Sequence, residues 1–168
     1  LYQNPENEKI TSVTLPETLE TIGISCFFNA KQIKEIVIPN SVTSIERNAF
    51  MYCDKLERVQ LSENITTLGK GVFENCTSLK EITNLHIATI PHYAFFGCSS
   101  LQSIVLQEGV KKIDCKAFYG CKTLSQIHFP TTLEEIGAEA FYGCTSLKSI
   151  VLPESLSKMG ETHQFVDE

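Results

Sequence analysis

The sequence predicts an α/β-type repeat solenoid: a stack of coils about twenty-three residues long, with a parallel sheet on one side and short strands or helical turns on the other. Three observations lead there. The eight residues "AFYGCKTL" from Ala117 return nearly unchanged as "AFYGCTSL" from Ala140, twenty-three positions later. Apolar residues keep their columns, so that "LQSIVLQEGVKKIDCKAFYGCKT" from Leu101 lies over "LSQIHFPTTLEEIGAEAFYGCTS" from Leu124. A unit of that size is too small to bury a core alone, so each coil must be covered by the next.

The frame starts at Ile10, Ile33, Leu56, Leu79, Leu101, Leu124 and Leu147, which makes about six full repeats and a partial one within a single domain, 1–168. Only the unit from Leu79 to Ser100 is one residue short. Within a unit the first, fourth and sixth positions are apolar, as in Leu101, Ile104 and Leu106, with polar residues mostly between them. This alternation is that of a short strand. Pro16, Pro39, Pro130 and Pro153 follow it; a residue without N–H cannot extend a ladder, so the chain turns there. Two further apolar positions come next, such as Val42 and Ile45. Gly23, Gly69, Gly137 and Gly160 then read as turn residues with positive φ. A small residue, Phe, two variable residues and Cys close the unit.

Composition narrows the function. The chain has 168 residues, 42% hydrophobic and 20% charged, as in an ordinary domain with a core. The net charge of −6 and the scatter of the fourteen basic residues argue against nucleic acid, whose binders concentrate Lys and Arg on phosphates. No run of apolar residues is long enough for a spanning helix, and direct membrane insertion is not expected. The first residues, "LYQNPENEKI", lack the regions of a signal peptide, and the start at Leu1 reads as a piece of a longer protein. At the other end, "GETHQFVDE" puts His163 and Gln164 where Ala and Phe should stand, which is either a polar cap or a coil interrupted midway.

The phrase L-x-x-I-x-L-P-x-x-L-x-x-I-G-x-x-A-F-x-x-C, matched almost throughout by residues 124–147 with Phe129 in a Leu column, resembles the BspA-like class of leucine-rich repeats of bacterial and protist surface proteins. The resemblance runs from about Ile10 to Gly160. It implies a curved right-handed leucine-rich repeat superhelix with its parallel sheet on the concave face. It also implies an adhesin or binding module at the cell surface or outside the cell, without catalytic residues, cofactor or fixed ligand motif. Asn84 departs from the pattern in a strand Leu column beside the one-residue deletion, which puts the local register in question and is expected to bend the solenoid.

Seven cysteines raise metal and disulfide readings. Cys53, Cys76, Cys98, Cys121 and Cys144 occupy one column at the spacing of the coil, not the close pairing of a zinc site. In-register neighbours would lie within disulfide range, but their parallel Cβ vectors and odd number favour buried, reduced thiols. Cys115, in the polar turn before Ala117, is expected to be the most exposed. The column Phe27, Phe50, Phe73, Phe95, Phe118 and Phe141 reads as core. For the next column, Phe28, Met51, Phe96, Tyr119 and Tyr142, two readings are open: packing against the adjacent coil, which is favoured, and an exposed ridge on the convex side.

The histidines His86, His92, His128 and His163 show no catalytic or metal-binding spacing, and no nucleophile elbow or phosphate loop occurs. Of two N-x-S/T sequons, Asn64 is the better acceptor if the source is a eukaryote that secretes the protein, since Asn75 precedes a buried Cys76. A ligand would meet the outward strand residues: Glu35, Arg58, Glu81, Ser103 and Gln126 in one column, Val37, Gln60, Thr83, Val105 and His128 in another. This polar face of little net sign suits a protein or glycan, such as a host extracellular-matrix or surface protein. A spacer with no ligand of its own is the rival reading. Uncapped coil ends also allow end-to-end self-association.

Overall fold

The computed structural model of the chain describes residues 5–161. A short 3-10 helix, Pro5–Lys9, precedes the strands. In order these are β1 (Thr21–Ile22), β2 (Glu35–Val37), β3 (Ser44–Ile45), β4 (Arg58–Gln60), β5 (Thr67–Leu68) and β6 (Glu81–Thr83). Then come β7 (Thr89–Ile90), β8 (Ser103–Val105), β9 (Lys112–Ile113), β10 (Gln126–His128), β11 (Glu135–Gly137) and β12 (Lys158–Glu161). All pairings are parallel, because each strand meets the equivalent strand of an adjacent coil.

The even-numbered strands β2 to β10 come from the start of the repeat. Their central residues Ile36, Val59 and Ile104 point into the core, and their outer residues are exposed, as the alternation predicts. A second series, β1 to β11 in odd numbers with β12 added beside β11, carries the buried Ile45, Leu68, Ile90, Ile113 and Ile136. The third side of each coil is the Phe-containing segment. Phe50, Phe73, Phe95 and Phe118 are fully enclosed, and successive rings from Phe27 to Phe141 stack with centroids 5.2 to 5.8 Å apart. Each such ring removes apolar area worth roughly 1.5–3 kcal/mol from water.

That third side corrects the expected class. No α-helix occurs among the described residues, so the fold is a parallel β-solenoid of about six turns rather than α/β with helical turns. The reason lies in two positions per coil with positive φ, for example Asn48 (57°) and Tyr52 (63°), or Lys116 (58°) and Gly120 (73°). An α-helix needs negative φ throughout. The segment instead bends through successive turns, with the N–H groups of Ala49, Met51 and Cys53 donating to the carbonyls of Glu46, Asn48 and Phe50. The repeated phrase "AFYGC" therefore encodes shape: a core Phe, then a Gly at a left-handed corner.

The glycines after the second strand are a separate correction. Gly160 has positive φ (80°), but Gly23, Gly69 and Gly137 do not. Gly69 and Gly137 are required by close approach, since a Cβ there would overlap the backbone of Arg47 and of Cys115 on the preceding coil.

The short unit cuts the stack. Neither β6 and β8 nor β5 and β7 are paired, so both sheets stop at the same place. The chain crosses the cut in residues 84–88. Asn84 takes positive φ (62°), and Leu85, one residue later, fills the core slot. Pro91 then stands in the column of Gly69 and Asp114, whose N–H groups bond to the coil before (Gly69 to Ile45 O at 2.7 Å, Asp114 to Ile90 O at 2.9 Å). Lacking that donor, Pro91 cannot tie β7 to β5. Among the described residues the backbone hydrogen bonds that bridge the cut lie on the turn side, where Gly71, Phe73 and Asn75 N–H donate to His92, Ala94 and Phe96 O beside the Phe73–Phe95 stack, while the buried core runs on across it. The register that Asn84 put in question holds between β4 and β6 and ends there, since β6 and β8 are not paired.

On the first coil, Asn7 does what a neighbouring coil does elsewhere. Its Nδ2 donates to the carbonyls of Cys26 (3.1 Å) and Phe28 (3.0 Å), the column that in the next coil accepts Phe27 and Asn29 N–H at Ala49 and Met51. His163 and Gln164 lie outside the described residues.

Candidate functional site

Alternation along β2 to β10 sets the candidate face. Glu35, Val37, Arg58, Gln60, Glu81, Thr83, Ser103, Val105, Gln126 and His128 are all exposed and share it. Register aligns them: Glu35, Arg58 and Glu81 stand side by side, as do Val37, Gln60 and Thr83. Beyond the cut, Ser103 meets Gln126 and Val105 meets His128.

The face has two halves of different chemistry. Over β2 to β6 it carries ion pairs across coils, with Arg58 Nη2 2.8 Å from Glu35 Oε2 and Lys80 Nζ 2.7 Å from Glu57 Oε2. The Lys80 hydrogen bond holds the Glu57 carboxyl below the usual range, and Glu35 holds the Arg58 guanidinium above it. Over β8 and β10 the face is uncharged, built from Ser103, Gln126, His128 and the exposed Val105 (60%). Clefts open along this face, both at the gaps in the sheet and over the paired strands β2 to β6. One of about 920 Å³ lies between residues 11–17 and β2, and one of about 280 Å³ between β6 and β8.

The cysteine column has a structural use. Cys53, Cys76, Cys98, Cys121 and Cys144 are buried and free, and each Sγ donates to the carbonyl of the core Phe one coil back, Phe27 to Phe118, at 3.1 to 3.2 Å. Burial pushes the Cys76 and Cys98 thiols up. Cys115 corrects the expectation of an exposed thiol: it is 6% exposed, because the backbone of Gly137 lies against it, and Cys26 is the exposed one. Among the described residues no three His, Cys, Asp or Glu side chains converge as a metal site would need. No helix among them is long and apolar enough to cross a membrane.

The column after the core Phe both packs and shows. Phe28 is buried edge-on against Tyr52 (5.7 Å), while Phe96, Tyr119 and Tyr142 stack outside the core at 4.8 and 4.9 Å, ending in Tyr142, 62% exposed. Sequence reasoning missed a cluster of titratable side chains on the second strand and the turn after it. His92 Nε2 is 3.8 Å from Asp114 Oδ2, and Lys112 bridges Asp114 (3.1 Å) and Glu135 (3.4 Å). Burial lowers the His92 pKa against the pull of Asp114. The signal was available: His92 and Cys115 hold the same place in successive units. Asn64 is exposed with its Nδ2 bonded to Asn40 O at 2.9 Å, whereas Asn75 is half-buried at positive φ (57°).

Residues 5–86 and 78–165 match the family model described as BspA type leucine rich repeat region in six copies. Among solved structures, the chain is similar to a leucine-rich repeat protein from Eubacterium ventriosum, with 29% identity, TM-score 0.81, and coverage of 86% of this chain and 40% of that one. A leucine rich cell surface protein from Faecalibacterium prausnitzii shows 34% identity and TM-score 0.65 over 76% of this chain and 31% of that one. The pneumococcal vaccine antigen PcpA shows 27% identity and TM-score 0.55 over 88% and 46%. The chain thus spans less than half the length of each. Comparison with curated protein sequences gave no significant match.

Proposed function

Since the chain belongs to the BspA-type leucine-rich repeat family, we propose that it is a non-enzymatic recognition module of a cell-surface or secreted protein. It binds a protein partner through the face of β2 to β10, the concave face of the superhelix. The observation that carries this reading is the exposed face itself. Ten outward side chains, in register within β2 to β6 and again within β8 and β10, form a surface on which Arg58 pairs with Glu35 and Lys80 with Glu57 across coils. Such a surface recognises by shape, hydrogen bonds and apolar contact rather than by capturing a polyanion. The similarity to a leucine rich cell surface protein and to a vaccine antigen supports the location. Stacking of another copy on the first coil would have to displace Asn7, so the proposal assigns recognition to the face and not to that end. The test is saturable binding of the folded protein to a panel of extracellular-matrix and plasma proteins; a folded protein that binds none of them is the spacer.

A further inference from the structure

The cut between β6 and β8 leaves backbone groups on the recognition face without partners. In the intact part of this sheet, Glu57 N–H donates to Lys34 O and Lys80 N–H to Glu57 O, at 2.7 and 2.9 Å. At the far end of the strands Ile38 N–H donates to Gln60 O and Leu61 N–H to Thr83 O, at 2.8 and 3.2 Å. Carrying the same pattern one coil further would join Gln102 N–H to Lys80 O and Asn84 N–H to Val105 O. Among the described residues neither bond forms, and these four groups take no other backbone or side-chain partner. Lys80, Asn84 and Val105 line the cleft of about 280 Å³ between the two strands, and Gln102 directly precedes its lining residue Ser103.

Spacing limits what fits. An added strand sits about 4.8 Å from each neighbour, so an inserted one would need roughly 9.6 Å between β6 and β8. Some of their Cα atoms lie within 8 Å of each other, which is too close for an inserted strand, yet the two strands are not paired. The open edges can therefore take only a group smaller than a strand. At each end of the gap one acceptor faces one donor, the reverse of what a carboxamide presents with its NH₂ and C=O.

We propose that this cleft is a subsite for a side-chain carboxamide, Asn or Gln, projecting from a polypeptide partner bound on the same face. The carboxamide donates to Lys80 O and accepts from Gln102 N–H, or donates to Val105 O and accepts from Asn84 N–H. The inference rests on the recognition reading of that face and places its specificity at the short coil: the missing residue opens the ladder, and the opened ladder reads an amide. A partner with Leu at that point would leave the same groups covered and unpaired, which disfavours its binding.

The test is an amide-resolved NMR titration of the intact protein with acetyl-Gly-Gln-Gly-amide, with the Leu-centred and Glu-centred peptides as controls. The Gln peptide is expected to give saturable shifts at the N–H groups of Gln102 or Asn84 and the other two to give none. Equal shifts with all three, or none with any, overturn the subsite. A second protein, with Asn84→Leu and one Thr inserted after Leu85 to restore the full-length unit, is expected to fold with β6 and β8 paired and to lose the shifts. Shifts that persist once the pairing is restored also overturn it. Loss of partner binding on mutating the wider face, with no peptide response, rejects the subsite alone and leaves the recognition reading standing.

Discussion

Phe73 and Phe95 stack at a centroid distance of 5.8 Å across a plane that no strand pairing crosses. The solenoid is therefore two blocks joined by the turn side and by the core that runs through both, without a shared sheet. In a repeat protein stability is close to a sum of neighbour interfaces, and an interface lacking both sheets is the weakest link. Phe95→Ala, at a cost of about 3–5 kcal/mol, should split unfolding into two transitions resolved by different probes. Phe118→Ala, inside one block, should lower stability without splitting it. In native-state hydrogen exchange the Asn84 amide should exchange faster than that of Leu61, which donates to Thr83 O. Equal protection of the two amides would contradict the cut.

Asn7 closes the first coil with two bonds from one amide. Asn7→Ala should lower stability in urea, because each enclosed carbonyl left unpaired costs about 1–3 kcal/mol. Asn7→Asp, which keeps the shape and removes the donors, should do no better. A rescue by Asp would mean that packing and not hydrogen bonding seals the end.

Gly69→Ala and Gly137→Ala should each destabilise by about 1–3 kcal/mol through overlap with the preceding coil. Gly23→Ala meets open space at ordinary φ and should be neutral or slightly stabilising. Thermal melts of the three variants separate close approach from mere turn preference.

The columns that repeat were readable: the core Phe and Cys, the strand residues Ile36 to Ile127, and the ten outward residues all fall where the frame puts them. What stayed hidden has physical reasons. The corner before the core Phe is filled by Ser25, Asn48, Lys116 and Glu139, residues with no common signature for positive φ, so the segment read as helical. Pro91 looks like an ordinary turn residue until one knows that its column must donate to the preceding coil. Asn7 lies outside the frame, and no periodicity points to it. Cys115 sits among polar neighbours in sequence, yet the next coil covers it.

Thiol chemistry checks that last point. A native-state reaction with a disulfide reagent at neutral pH should label Cys26 first, slowed by partial burial that raises its pKa. Cys115 and the five column cysteines should react only on unfolding. Early labelling of Cys115, or a mass consistent with disulfides in the non-reduced protein, would contradict the reduced, enclosed column.

The central claim is that the face of β2 to β10 recognises a partner. The most direct measurement is the affinity of the intact protein for whichever extracellular-matrix or plasma protein it binds, beside that of the triple variant Arg58→Ala, Gln60→Ala, His128→Ala. All three side chains are exposed and outside the core, so the variant should melt as the parent does. Binding that falls at least tenfold with unchanged melting is the predicted result. Unchanged affinity would place recognition elsewhere on the molecule and contradict the account.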